Sequence, residues 1–298
     1  MTRREKRNLR NGLLFISPWL IGFLGLQVYP IIYSFYLSLT QYSGFGKPLF
    51  IGFGNFVDMT KDPVLLSTIF NTLFFAGLSV PISIVVANII ALCMNQKVKE
   101  VSVYRSILYL PSILPAFALV FVWLLFTNPQ FGLMNRLAVV LHLPVIDWIG
   151  DYRFTKPSLV ILAQFSAGGP ALIILARLRS IPKDLYESAE LEGAGSMRKF
   201  FFITLPLLTP IILYQLIQSL SGALQVFTQA YIISGGARGG TVGSRNSLFF
   251  YVLYIWQNAF KYSRMGYAAC LSLLFFAVSI VIAMIVFRWG RSWVNYDT

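Results

Sequence analysis

The chain has 298 residues, of which 57% are hydrophobic and only 12% charged, with a mean hydropathy of +0.70 and a formal net charge of +13. Soluble domains carry about 25% charged residues, so this composition excludes an ordinary water-soluble globule and points to a membrane protein. A single histidine excludes a His-rich zinc site, and two cysteines, Cys93 and Cys270, both inside apolar runs, do not indicate a disulfide framework.

Six segments are long and apolar enough to cross a hydrocarbon core of about 30 Å, which takes roughly 20 helical residues. They cover residues 13–39, 67–94, 104–127, 157–179, 204–227 and 265–289 and predict an all-α, polytopic protein with six transmembrane helices. The first, "LLFISPWLIGFLGLQVYPIIYSFYLSL", carries Pro18 and Pro30, and the third contains "LPSILPAF". Such prolines are tolerated in membrane helices because neighbouring groups re-satisfy the freed backbone. The basic opening "MTRREKRNLR" has the outline of a signal peptide. The apolar run after it is too long and lacks a small-residue cleavage site, so it reads as a retained helix.

Lysine and arginine set the orientation. With the N-terminus inside, fifteen of the 24 fall on the cytoplasmic side, although the outer loops are longer in total. Both termini are expected in the cytoplasm, with the loops around Lys61, Arg153 and Arg245 outside. The positive charge is then topological and not a nucleic-acid footprint. His142, in a loop, reads as a surface residue.

On this topology a charged stretch between spans four and five faces the cytoplasm. The chain has only 11 acidic residues, yet Glu187, Glu190 and Glu192 crowd into "YESAELEGAGSMRKFFFITLPLLTP". The preceding Asp184, with Glu187 three residues on, fits a capping box at the start of a short helix. The acidic residues complement the positive end of the helix dipole. Gly193 is placed to end the helix in a left-handed turn. Gly195 and Ser196 permit a second bend, and a new helix runs toward Pro206. Ser188 and Ala189 are small enough for a partner surface to approach closely. The other reading is an amphipathic connector lying on the membrane surface.

The spans hold almost no formal charge away from their ends, which argues against proton coupling and for a neutral solute. Span five carries Gln215, Gln218, Gly222 and Gln225, spaced three, four and three apart on one helix face, flanked by Ser219 and Ser221. Amide side chains both donate and accept, which suits sugar hydroxyls. The same stripe also fits as hydrogen-bonding glue between helices. Span four offers Gln164, Phe165 and Ser166 before Gly168, Gly169 and Pro170. An aromatic ring there would cover the apolar face of a sugar, or the small residues would serve close packing. No phosphate loop of the form Gly-x-x-x-x-Gly-Lys-Ser/Thr exists. "GFGKP" from Gly44 fails the spacing, and "GGARGGTVG" from Gly235 lacks the Lys-Ser/Thr ending. The latter reads as an outer loop that either touches a solute-binding protein or is a plain turn. Any ATP hydrolysis must come from another chain.

Glu187-Ser188-Ala189, then Glu192-Gly193-Ala194, then Ile203-Thr204-Leu205-Pro206 resemble the signature cytoplasmic loop of ABC-importer permeases. Ser188 stands where alanine is usual and Glu192 where aspartate is usual, and both keep size or charge. "SPWLIGF", "YPIIYSFYLSLTQY", "GFGNF", "NTLFF", "YRSILYLPSILP" and "MGYAACLSLLFF" are similar to the carbohydrate-type subfamily, which handles maltose, lactose, glycerol phosphate and similar solutes. The likeness extends over nearly the whole chain. The outer glycine run departs from the Gly-Gly-Pro usual there, and the chain, lacking the large extracytoplasmic insertion of the maltose permease proper, resembles the compact members more closely.

The resemblance implies a type I ABC-importer permease fold in a single domain over 1–298. Residues 1–66 would form an arm helix and outer loop against a partner, and 67–289 a five-helix core with a coupling loop at about 180–203. Glu187, Ser188, Ala189, Glu192, Gly193, Ala194 and Pro206 would couple to an ATPase. Gln164, Phe165, Gln215, Gln218, Ser221 and Gln225 would line the solute pathway. The implied partners are a second homologous permease, two cytoplasmic ATPases that bind ATP and magnesium, an extracytoplasmic solute-binding protein and membrane lipid. Nucleic acid is not among them. The chain itself would hold no catalytic residue, metal or cofactor, and it would lie in a prokaryotic plasma membrane. The implied function is import of a sugar or oligosaccharide. A glycerol-phosphate-like solute is one alternative. A self-sufficient secondary transporter is another, although no internal carboxylate supplies its coupling-ion site.

Overall fold

The computed structural model describes residues 2–96, 99–235 and 246–295. Helix α1 (Arg3–Phe23) passes through a π-helical turn (Leu24–Val28) into α2 (Tyr29–Ser38). The turn has a local cause. Pro30 lacks an N–H, and its ring crowds the carbonyl four residues earlier. Just before it the ladder widens, and the Tyr29 N–H donates five residues back to the Leu24 carbonyl. Strands β1 (Thr40–Gln41) and β2 (Leu49–Phe50) pair antiparallel, with Thr40 opposite Phe50 and Gln41 opposite Leu49. Then come α3 (Gly54–Thr60), α4 (Pro63–Met94), α5 (Val101–Ile113), α6 (Ala116–Phe126) and α7 (Leu133–Val140). Helix α8 (Tyr152–Gln164) joins α9 (Gly168–Ser180) through a single 3-10 turn, and α10 (Lys183–Leu191) and α11 (Ser196–Lys199) follow. A second π turn (Phe200–Thr204) leads into α12 (Leu205–Leu224), then α13 (Thr228–Ile233). Helix α14 (Tyr251–Trp256), a third π turn (Gln257–Lys261) and α15 (Met265–Gly290) close the order. The glycine-rich run at 236–243 and Arg245 lie outside the described residues.

Five helical stretches among the described residues are long and apolar enough to cross a membrane: Arg7–Ser38, Pro63–Met94, Tyr152–Ser180, Ser196–Ile233 and Met265–Gly290. The expected third span is not one straight helix. Its halves, α5 and α6, qualify only together and are bent by 102°. Pro115 is the cause, because a proline pushes the residue before it out of the α region. Leu114 accordingly sits at φ −68°, ψ 139°, and α5 stops at Ile113. "LPSILPAF" is therefore a break and not a tolerated kink. Apart from the short strand pair the described residues are all-α, with five candidate spans and a sixth if the bent pair is one span.

The chain divides into two compact units, Met1–Pro63 with Ile255–Val278, and Val64–Tyr254 with Ser279–Thr298. In the first, the buried Asn55 amide donates to the carbonyls of Ser38 (2.8 Å) and Thr40 (2.9 Å), fixing the chain where α2 turns into β1. The Gly266 N–H donates to the Tyr42 carbonyl at 3.0 Å. A Cβ at Gly266 would lie 2.0 Å from the Thr40 carbonyl oxygen, so only glycine fits this crossing.

In the second unit the core joins Ala87, Ala91 and Met94 of α4 to Ala171 and Ile174 of α9 and Leu208 of α12. Alanines four apart on α4 leave room for close helix approach. Gly168 does the same for α5, since a Cβ there would sit 2.4 Å from the Leu108 carbonyl oxygen. Backbone that leaves the helices is paired by side chains, as buried groups require. The Asn71 amide donates to the carbonyls of Asn246 and Phe249, at 3.0 and 3.1 Å, and the Tyr251 N–H donates to the Thr72 hydroxyl at 2.9 Å. The Arg105 guanidinium donates to the Met94 carbonyl at 2.9 Å and so closes the end of α4.

Candidate functional site: a docking hairpin and an uncharged cavity

Two places in the second unit carry the residues singled out by sequence. The first is the hairpin of α10 and α11. Helix α10 starts two residues earlier than the capping box requires. Pro182 is the N-cap, and no side chain caps the helix. Asp184 is thereby at the second helical position, where its backbone is helical and its carboxylate does not accept from the first free N–H groups. The expected Asp184–Glu187 capping box is absent. Asp184 still lies in the first turn, where an acidic group complements the dipole.

The other end follows the expectation for Gly193, which has φ +78°. The Ala194 N–H donates to the Ala189 carbonyl (2.8 Å) and the Gly193 N–H to the Glu190 carbonyl (2.9 Å). These two bonds are the Schellman pattern, which needs a left-handed residue just past the helix. Gly195 then extends (φ −68°, ψ 166°), and α11 restarts at Ser196. Glu187, Ser188, Glu192 and Gly193 are exposed, and Ala189 and Ala194 are half-buried. Ala189, Glu192 and Ala194 line a recess of about 370 Å³ together with Phe202 and Ile203. Pro206 lies in the first turn of α12, after the π turn. Leu191 is 91% exposed and Met197 75%, so the tip of the hairpin presents apolar surface. Lys199 pairs with Glu190, and the hydrogen bond, then the charge, hold the Glu190 carboxyl below its ordinary value.

The second place is a cavity of about 350 Å³ between α4, the α8–α9 join and the α12–α13 break. Gln215, Ser219, Gly222 and Gln225 reach it from α12. Gln225 caps the end of α12 and Phe227 precedes α13, so successive residues from Gln225 to Gln229 face the space where the helix is interrupted. Ser79 and Ser83 enter from α4, and Ser166 from the join. Among the described residues no Asp, Glu, Lys or Arg lines it. Gln215 is 3% exposed, and its Oε1 has no hydrogen-bond partner among the described residues.

The structure thus gathers only some of the six residues expected on the pathway. Gln215 and Gln225 line the cavity. Gln164 stands behind it, accepting from the Ser83 hydroxyl (2.9 Å) and donating to the Val160 carbonyl (2.7 Å). Phe165 packs edge-on against Trp123 with centroids 5.9 Å apart, outside the lining. Gln218 is exposed and donates to the Tyr214 hydroxyl at 3.3 Å. Ser221 lines a separate narrow cleft against Ser279, Ile282, Ala283 and Val286 of α15. Sequence reasoning missed Phe75, Ser79 and Ser83. Their spacing of four along an apolar helix was the available signal, since it stacks them on one face.

The family model for "binding-protein-dependent transport system inner membrane component" matches residues 51–295. The probable ABC transporter permease protein YesP of Bacillus subtilis (strain 168) is 35% identical over 303 residues, covering 99% of this chain and 96% of that protein. The lactose transport system permease protein LacF of Rhizobium radiobacter is 32% identical over 289 residues, covering 94% of each. A crystal structure of a bacterial ABC transporter involved in the import of the acidic polysaccharide alginate is similar with a TM-score of 0.83, over 99% of this chain and 100% of that one, at 24% identity. That last likeness is one of fold. The chain belongs to the family of inner-membrane components of binding-protein-dependent transport systems.

Proposed function

We propose that this chain is one of two permeases of an ATP-driven importer that carries a neutral sugar or short oligosaccharide into the cell. The observation that carries the reading is the uncharged cavity, whose polar lining consists of serine and threonine hydroxyls and glutamine amides. Such groups both donate and accept, as sugar hydroxyls require. Phe75 and Phe227 offer apolar surface to ring C–H groups. The volume of about 350 Å³ lies in the range of small-molecule sites, about 300–1,000 Å³. Among the described residues, the lack of a lining cation argues against a phosphorylated solute, and the lack of a lining carboxylate argues against ion coupling. The 32% identity to a lactose permease supports a sugar.

In this reading the hairpin of α10 and α11 faces the cytoplasm and docks on one of two partner ATPases. Those subunits bind ATP and magnesium, since this chain has no phosphate loop. Glu187, Ser188 and Ala189 lie at the contact, and Gly193 sets the turn that presents them. A second permease completes the pathway, and a solute-binding protein delivers from outside.

The test is uptake by the full assembly in proteoliposomes loaded with ATP. A neutral disaccharide and the matching uronate disaccharide are compared, each with its binding protein saturated. ATP-dependent uptake of the neutral sugar with little of the uronate is expected. Uptake of the uronate in preference to the neutral sugar would overturn the assignment of the cavity.

A further inference from the structure

We propose that Tyr186 and Thr204 are positioning residues for transport: their hydrogen bond holds the π turn below α12, so that the docking helix and the cavity-bearing helix move as one. The inference rests on the reading of α10 as the ATPase-docking helix.

Helix α10 and the run α11–α12 form a hairpin with two cross-links. The outer one, Glu190 with Lys199, is exposed on the Glu190 side. The inner one joins the Tyr186 and Thr204 hydroxyls at 2.9 Å. Thr204 is 6% exposed, and the Tyr186 ring packs against the core cluster that holds Leu178, Ile181 and Leu208.

The spacing of these rungs is uneven. They lie four residues apart on α10, from Glu190 to Tyr186, and five apart on the other arm, from Lys199 to Thr204. In an α-helix of 3.6 residues per turn, a fifth residue points about 140° away from the first, whereas a fourth is only about 40° off. A π turn changes this, because i→i+5 bonding carries the fifth residue back over the first. Here the Leu205 N–H donates to the Phe200 carbonyl, and Thr204 Oγ1 donates to the Lys199 carbonyl at 3.5 Å. Either hydroxyl of the Tyr186–Thr204 pair can be the donor. Lys199 and Thr204 face α10 together only because the turn is π-helical. A continuous α-helix would bring Ile203 to that face, and its side chain has no hydroxyl to bond with Tyr186.

The turn also sets what lies above it. Helix α12 continues from Thr204, and Gln215 stands roughly 16 Å further along at 1.5 Å per residue. Conversion of the π turn to regular α-helix shifts the register by one residue. It would swing the docking arm by about 100° relative to the cavity face. The Tyr186–Thr204 bond opposes that conversion, and π turns of this kind concentrate at functional sites.

The experiment uses the whole assembly, with partner permease, ATPases and binding protein, and reads solute uptake and ATP hydrolysis in the same proteoliposomes. Tyr186→Phe keeps the ring and removes the hydroxyl, Thr204→Val keeps the volume, and Thr204→Ser keeps the oxygen. Solute carried per ATP should fall severalfold in Tyr186→Phe and in Thr204→Val. The double variant should be no worse than the poorer single one, as for two ends of one contact. Thr204→Ser should restore the ratio. An unchanged ratio in Tyr186→Phe, or uptake and hydrolysis falling in proportion, would overturn the inference. If Thr204→Val fails to assemble, Tyr186→Phe against Thr204→Ser decides. Glu187→Cys, cross-linked to an introduced cysteine on the ATPase, separates the two readings. A cross-link with an unchanged ratio sinks this inference alone, whereas no cross-link sinks the docking reading beneath it.

Discussion

At the scale of single residues, Gln215 and Gly193 carry the most specific expectations. Gln215 is buried beside the cavity with an Oε1 that has no partner among the described residues, and a buried orphan acceptor costs about 1–3 kcal/mol. Removing it should not destabilise the fold. Gln215→Leu should keep or raise the melting temperature in detergent, while uptake falls severalfold through loss of a solute hydrogen bond of about 1 kcal/mol. A lower melting temperature with unchanged uptake would make Gln215 a packing residue. Gln218→Leu is the control: the residue is exposed and bonded to Tyr214, and uptake should hold. At Gly193 no atom lies within 4 Å of a built Cβ, so any penalty comes from φ +78° alone. Gly193→Val should strain the turn by about 1 kcal/mol or more and cut uptake sharply, with the binding protein still holding solute. Gly193→Asn should be milder, because asparagine tolerates the left-handed region. Equal uptake by Gly193→Val and the parent chain would remove the turn from the coupling account.

At the scale of elements, neighbouring glycines at the start of α9 are predicted to differ. A Cβ at Gly168 would press on the Leu108 backbone oxygen at 2.4 Å, whereas one at Gly169 would meet the Ser112 side chain only at 3.9 Å. Gly168→Ala should cost about 1–3 kcal/mol by overpacking and lower the melting temperature, and Gly169→Ala should be nearly neutral. Equal melting of the two variants would show that α5 and α9 do not pack backbone to backbone. Sequence made the long spans legible because twenty apolar residues in a row have few other fates. It also exposed Gly193, since a helix followed by glycine carries its own stop. It did not expose what depends on backbone register. The helix at Lys183 begins one residue before the expected cap, and Asp184 loses its capping role. Pro115 reads as an ordinary membrane proline until Leu114 is seen to be extended. The π turns before Pro30 and Pro206 have a proline to announce them, yet the turn at Gln257–Lys261 has none. Of the glutamine stripe, Gln215 and Gln225 line the cavity, but periodicity does not say which neighbours a face meets. Gln218 and Ser221, only one turn away, look elsewhere.

At the scale of the whole molecule, orientation and energy source decide the account. The Lys and Arg distribution predicts both termini and the docking hairpin inside. In a background without Cys93 and Cys270, an impermeant thiol reagent should label Lys61→Cys in intact cells. It should reach Met197→Cys, on the exposed hairpin tip, only after permeabilisation. The reverse pattern would invert the topology and put the hairpin beyond reach of any ATPase. The uncharged spans predict a passive conduit driven by others, consistent with a family whose members are the inner-membrane components of larger systems. The most direct measurement is solute accumulation in proteoliposomes with one component omitted at a time. The account predicts accumulation only when this chain, a second permease, the ATPases with ATP, and the binding protein are all present. Accumulation by this chain alone, driven by an ion gradient without ATP, would contradict it.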